Sequence, residues 1–256
     1  MLNMIRTIFR AIKNRKRKQR SKRYLYTTRA LNAIGLAYLL LLIFPKPLFA
    51  HSARVGQFRF HSDRPIPSEI KSVVEQATAK LSASPLYSAT DSFDVYIAND
   101  RWRRTLLMPR SPGAFGVRMI LTGNTILNRC DITNDICMND QPKFNRRPMH
   151  TVLAHESMHQ VIASDLGLLA YLRLPTWKDE GYCEYVAGDP SFDATRGQEL
   201  IRSGKSHRSN AFRYLTYLLA VRSCLDDQGL QPRQFLSQPL DFRASLDSYV
   251  REPRGG

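Results

Sequence analysis

The pattern of apolar and polar positions divides the chain into a β-rich stretch followed by a helical one. Within a lead-in over 51–65, residues 55–61 read as a strand. From 67 to 81, Ile70, Val73, Val74, Ala77 and Leu81 recur at helical spacing and predict an amphipathic helix. Phe93, Val95 and Ile97 alternate along 93–98 as one face of a second strand. Residues 115–127 form a further β-rich stretch, broken by a turn at Thr122-Gly123-Asn124. From Pro148 the period becomes helical. One helix opens at Pro148, a residue tolerated at a first helical position, and closes by Gly167. A second starts near Thr176, with Thr176 and Asp179 placed as a capping pair. Two more are expected over 194–204 and 209–225, and the end, 251–256, reads as loose. Strands first and helices after predict an α+β domain.

Ahead of the body, residues 1–29 are dense in Lys and Arg, and an apolar run over 30–44 is interrupted only by Asn32. The formal net charge of +16 is concentrated here: the first 50 residues hold twelve basic side chains and no acidic one, whereas the remaining 206 hold 26 basic and 22 acidic. The body therefore lacks a strongly basic composition, and no nucleic-acid partner is expected. Positive charge before an apolar segment keeps the N-terminus in the cytoplasm and sends the chain beyond that segment across the membrane. This divides the chain into a cytoplasmic tail (1–29), a transmembrane anchor or signal peptide (30–50) and an exported domain (51–256). The apolar run of fifteen residues would span roughly 22 Å as a helix, short of a hydrocarbon core of about 30 Å and suited to a signal-peptide core. Ala50 is a candidate cleavage residue, although Leu48 stands where a small residue is usual and the basic region is long for a cleaved signal. A single-pass anchor with the body outside, and a body secreted after cleavage near Ala50, both stay open. The basic tail suits contact with acidic lipid headgroups.

The four cysteines, Cys130, Cys137, Cys183 and Cys224, all lie in the expected exported part, where disulfides persist. A short polar loop separates Cys130 from Cys137, which makes that bridge the favoured one and leaves Cys183 with Cys224. Four buried thiols are the alternative.

The chemistry concentrates in His155-Glu156-Ser157-Met158-His159. Two histidines four apart on a helix share a face one turn apart and can hold one zinc ion per chain. Glu156 points beside that axis and suits a base that takes a proton from water activated by the metal. Catalytic zinc takes three protein ligands, and Glu180 on the next helix is the candidate third. Glu184, one turn further on, is placed to accept a ring N–H from a histidine ligand, His155 in the first instance. A histidine pair on an apolar helix face also occurs as plain core packing. Here the motif is framed by Val152, Leu153, Val161 and Ile162 and followed by a glutamate-bearing helix in an exported chain.

This motif, with Pro175-Thr176-Trp177-Lys178-Asp179-Glu180-Gly181-Tyr182-Cys183-Glu184-Tyr185 after it, resembles the gluzincin peptidases, the thermolysin-like and aminopeptidase-like zinc enzymes. The resemblance covers about 40 residues. It implies a zincin-like catalytic domain, with an N-terminal mixed β-sheet over an active-site helix and a C-terminal helical part, and it makes Glu180 the third ligand. It also implies an edge strand that binds the substrate backbone; by order along the chain its counterpart is 115–121, with Gly116, Val117 and Arg118. An oxyanion-stabilising Tyr or His should lie beyond the glutamate helix. Tyr182, Tyr185, His207, Tyr214 and Tyr217 compete for that role, with His207 and Tyr214 put forward. The expected function is a zinc-dependent peptide-bond hydrolase, an endopeptidase because no amine-binding motif is evident, acting on a peptide or protein outside the membrane. The alternative is a non-catalytic module of the same fold that binds a cell-envelope partner.

Overall fold

The computed structural model describes residues 2–109, 111, 113–141 and 145–251. It comprises two compact units, Met1–Pro45 and Lys46–Gly256. The first is a single helix, α1 (Leu2–Ile43). Its segment Lys22–Ile43, 22 residues, is long and apolar enough to cross a membrane by length and composition, a test that a signal sequence also passes. At 1.5 Å per residue it extends about 33 Å. The gain over the fifteen-residue run comes from the two turns before Ala30, in which residues 24–28 are uncharged and Thr27 and Thr28 turn their hydroxyls back onto the carbonyls of Arg23 and Tyr24.

The body begins at Lys46, five residues ahead of the boundary expected at 51. A 3₁₀ turn (Lys46–Leu48) leads to Phe49, which is buried with its ring centroid 5.3 Å from that of Tyr96. Arg103 Nε donates to the Leu48 carbonyl at 2.8 Å. Burial of Phe49 is what ties this segment to the body.

The strand expected over 55–61 is one arm of a hairpin. β1 (His51–Val55) and β2 (Phe58–Ser62) pair antiparallel with Val55 opposite Phe58. The reversal rests on Gly56, whose φ of +55° favours glycine. Helix α2 (Ile70–Ser82) buries Ile70, Val73, Val74, Ala77 and Leu81, the face its periodicity demands. It carries the chain across to β3 (Phe93–Ile97), parallel to β2. After α3 (Arg101–Leu107) come β4 (Gly116–Arg118) and β5 (Thr125–Leu127), with β5 parallel to β3 and β4 antiparallel to β5. The mixed sheet therefore runs β1-β2-β3-β5-β4 and leaves β4 at an edge.

The 115–127 stretch has shorter arms than its alternation suggests. The Met119 N–H donates to the Asn124 carbonyl and the Gly123 N–H to the Met119 carbonyl, which closes a loop over 119–124. Ile120 and Leu121 consequently stand at its tip, 45% and 83% exposed, instead of in a strand.

A second antiparallel sheet, β6 (Arg129–Asp131), β7 (Ile136–Met138) and β8 (Arg146–Pro148), has arms too short to show a period. Cys130 and Cys137 face each other across it and are bridged, with Cα atoms 4.3 Å apart. The hairpin's turn holds Asp135 at φ 53°. The chain passes from β8 into α4 (Met149–Leu166), whose first N–H groups lack partners within the helix. Asp135 supplies them: its carbonyl accepts from Met149 and its Oδ1 from His150, both at 2.9 Å.

Helix α4 is followed by α5 (Leu168–Tyr171), α6 (Thr176–Ala187), α7 (Ala194–Arg202), α8 (Asn210–Arg222) with a π turn over Ser223–Asp227, α9 (Pro232–Ser237) and α10 (Phe242–Arg251). Arg251 ends α10, and residues 252–256 of the expected loose end lie outside the described residues. Helix α6 packs on α4 and α8. A Cβ at Gly181 would lie 2.8 Å from the Tyr217 carbonyl oxygen and 2.7 Å from Val221 Cγ2, so the approach of α8 to α6 requires glycine there. Lys178 is buried, and its ammonium donates to the carbonyls of Phe235, at 2.5 Å, and Gln238, tying α9 to α6. The result is a mixed α/β body in which α2 and α3 lie between strands and the other helices follow the sheets.

The second expected bridge is not formed. Cys183 and Cys224 are free, buried thiols. Cys183 faces His159, whereas Cys224 Sγ lies 3.4 Å from Ser245 Oγ of α10.

The bridge and Asp135 hold the same hairpin against α4. Replacing both bridged cysteines (Cys130→Ser with Cys137→Ser) should lower the stability of the body by about 2–3 kcal/mol, read from the guanidinium unfolding midpoint. An unchanged midpoint would refute a stabilising role for the bridge.

Candidate metal centre

His155 and His159 sit one turn apart on α4, both buried, their rings 5.0 Å apart by centroid and at 82° to one another. Glu180 reaches in from α6. Its Oε2 lies 3.2 Å from His155 Nε2 and 3.6 Å from His159 Nε2. One ligand atom from each residue can thus be chosen so that all three lie within 4.8 Å of one another.

The other ring nitrogens are also engaged. His159 Nδ1 lies 2.8 Å from Asp179 Oδ1, and Asp179 Oδ2 accepts a 2.9 Å hydrogen bond from the Tyr171 hydroxyl. His155 Nδ1 lies 3.2 Å from Glu184 Oε1, a close contact that is not aligned as a full hydrogen bond. Glu184 is itself gripped by Arg147, whose Nη1 and Nη2 donate to its two oxygens at 2.9 and 2.8 Å. Arg147 Nη2 also donates to the Asp189 carbonyl. A carboxylate at each Nδ1 favours the tautomer whose Nε2 lone pair faces the shared point.

The electrostatics agree with this geometry. Burial alone would lower the His155 pKa, but its contacts with the Glu180 and Glu184 carboxylates raise it to about 9. Burial would raise Glu180 and Glu184. Contact with His155 and His159 instead holds Glu180 well below the usual carboxylate range, and Arg147 with His155 brings Glu184 down to about 2. Glu156, Asp179, Glu180 and Glu184 thus surround the histidines, and Arg147 is paired with Glu184 among them. Such a pocket draws positive charge to the point the imidazoles share. Two imidazole nitrogens and one carboxylate oxygen are the donor set that zinc takes, so these residues fit that ion.

Glu156 lies on the β4 side of α4. A Cβ at Gly116 would stand 2.8 Å from Glu156 Oε1, so glycine makes room for this carboxylate beneath the edge strand. Burial is the main cause that pushes the Glu156 pKa up. Asn128 N–H bonds the Phe115 carbonyl and Met119 N–H the Asn124 carbonyl. By antiparallel alternation residues 115, 117 and 119 bond inward to β5, while Gly116 and Arg118 turn their N–H and C=O to the outer edge, where no strand among the described residues pairs with them. Of the three expected substrate-strand residues, Val117 therefore has its backbone groups committed to β5.

The oxyanion candidates separate. Tyr214, half-buried on α8, has its ring centroid 6.4 Å from that of His155. Burial, then the charges of Glu180 and Glu156, push its pKa up, so it stays a hydroxyl donor at neutral pH. The structure does not bring His207 to this group. Its described contacts are with Ser209, Phe192 and Phe212 at the start of α8, where the aromatic pair offers it a packing surface. Tyr182 bonds Ser84, Tyr185 bonds Asp226, and Tyr217 packs on Phe242.

Three contributors escape the sequence pattern. Asp179 does not pair with Thr176 as a cap: Pro175 is the N-cap of α6, with no side-chain cap bond, and Asp179 turns to His159. Its position beside Glu180 was the available signal. Arg147 and Tyr171 carry none, because each reaches the centre only through the fold. A second cluster, His159 with Asp179 and Cys183, shares His159 and belongs to the same centre.

Removing one member of the buried Arg147–Glu184 pair should be costly. Arg147→Met is expected to destabilise the body by about 3–5 kcal/mol, and adding Glu184→Gln should recover part of that loss in a denaturation double-mutant cycle. Additive losses would mean the pair is not coupled. No protein-family model and no curated protein matches the chain.

Proposed function

We propose that this chain is a zinc-dependent peptide-bond hydrolase of the gluzincin type, tethered to the cytoplasmic membrane with its body on the outer side. The observation that carries the reading is the convergence of His155, His159 and Glu180 beside a buried Glu156 that abuts an open strand edge. His155, His159 and Glu180 would hold the metal. When bound, zinc supplies a Lewis acid that acidifies water and polarises the scissile carbonyl. Glu156 takes the proton of the attacking water and passes it to the leaving amine. The outward N–H and C=O of Gly116 and Arg118 pair with an extended substrate backbone. Tyr214 donates its hydroxyl to the oxygen on which negative charge develops. Asp179 and Glu184 orient the imidazoles.

Tethering is supported by the helix segment Lys22–Ile43, by the basic residues in the tail before it, and by the burial of Phe49. Cleavage after Ala50 would detach Phe49 from Tyr96. Intact-mass measurement on membrane fractions should return a chain that retains the segment, and recovery of a species starting at His51 would overturn the tether.

For the chemistry, full-length protein in detergent should bind about one zinc per chain, and His159→Ala should lose it. Glu156→Gln should keep the metal while peptide hydrolysis falls by about 10²-fold or more. Hydrolysis undiminished in Glu156→Gln would sink the mechanism. Zinc bound without hydrolysis in any form would favour the binding-module alternative. Gly116→Ala should retain zinc and lower kcat, because the new methyl group displaces the Glu156 carboxylate. An unaltered kcat would remove Gly116 from the account.

A further inference from the structure

Resting on the hydrolase reading, we infer that Arg118 selects substrates carrying an acidic side chain two residues from the scissile bond. Along β4, Gly116 and Arg118 are two apart and so project to the same face. For Gly116 that face is marked by Glu156, against which its Cβ would collide. For Arg118 it is marked by Tyr171, whose ring centroid lies 5.5 Å from the guanidinium carbon. Tyr171 is in turn bonded to Asp179, the partner of His159. The guanidinium therefore stands on the His159 side of the centre, one strand repeat from the reacting carboxylate.

Arg118 is also unusual in its bonding. Its Nε and Nη1 are out of contact with solvent and have no hydrogen-bond partner among the described residues. A guanidinium is always charged, and its N–H fork matches a carboxylate. The Tyr171 face satisfies part of the charge but accepts little from in-plane N–H groups. Leaving such donors unpaired is costly, and a carboxylate on a strand paired at the β4 edge would restore the missing bonds once the Arg118 side chain turns to meet it.

The register gives the substrate position. The reacting carbonyl must lie within reach of Glu156, hence at the level of Gly116. A strand paired on the open edge advances about 3.3–3.4 Å per residue, so the residue level with Arg118 is the second from the cleavage point. It also shares the face of the residue at that point, because side chains alternate. The selected group is then an Asp or Glu of a peptide substrate.

Two measurements test this on full-length, zinc-loaded protein in detergent micelles, with a proteome-derived peptide mixture as the probe. Cleavage-site profiling by mass spectrometry should show Asp and Glu enriched roughly tenfold at the second position on one side of the cut. Arg118→Gln should abolish the enrichment among the cuts that remain, and Arg118→Glu should replace it with Lys and Arg. The second measurement uses immobilised Glu156→Gln protein to capture intact peptides. Acidic peptides should be enriched there too, and the enrichment should vanish when Arg118→Gln is added. An acidic preference that survives Arg118→Gln, or no preference in either arm, overturns the inference. If the parent cleaves nothing while capture stays acidic and Arg118-dependent, the hydrolase reading falls and the role of Arg118 in ligand selection stands.

Discussion

The ion pair between Arg147 and Glu184 is the interaction on which the arrangement of the centre depends. Glu184 is buried under α4 at the His155 ring, a place where an unpaired carboxylate would take up a proton. Two N–H donors from Arg147 keep it ionised. That fixed negative charge orients His155, and Asp179 does the same for His159 from the other side of the motif. Both imidazoles then present Nε2 towards Glu180. Arg147 comes from the last strand before α4 and Glu184 from α6, so one pair ties together the three elements that meet at the centre.

Close backbone approach is the second constraint. Glycine at 181 allows α8 to lie on α6 and brings Tyr214 near His155, while glycine at 116 allows β4 to lie on Glu156. Both positions exclude a side chain for steric reasons alone, since neither glycine has a positive φ. The hairpin closed by Cys130 and Cys137 acts at the other end of α4, where Asp135 receives N–H groups that a helix cannot satisfy from within. The helix bearing the motif is thereby held at its start by a cross-linked turn and along its length by α2 and α6. Its burial on nearly every side explains why it shows no amphipathic stripe.

Much of the local structure was legible from residue order. The helix over 70–82 followed from a 3.6-residue repeat of apolar side chains, and the strand at 93–97 from alternation. The 55–61 assignment lost Val55 to the preceding strand because Gly56 turns the chain. Around 119–121 the alternation misled: three apolar residues in succession suit a strand, but backbone bonds within 119–124 close a loop there. The three-residue strands of the second sheet are shorter than any period that reports them.

By itself the sequence determined the spacing of His155, Glu156 and His159 on one helix, the glutamate pair at 180 and 184 on the next, and a charge-segregated N-terminus, because each is a property of neighbours a few residues apart. Only the tertiary structure decided which distant side chains complete the centre. It brought Asp179 to His159, Arg147 to Glu184 and Tyr214 to His155, left His207 on its aromatic neighbours, and kept Cys183 and Cys224 apart. Those choices depend on helix packing and on the cost of burying unpaired charge, which act between residues brought together in space from separate parts of the chain.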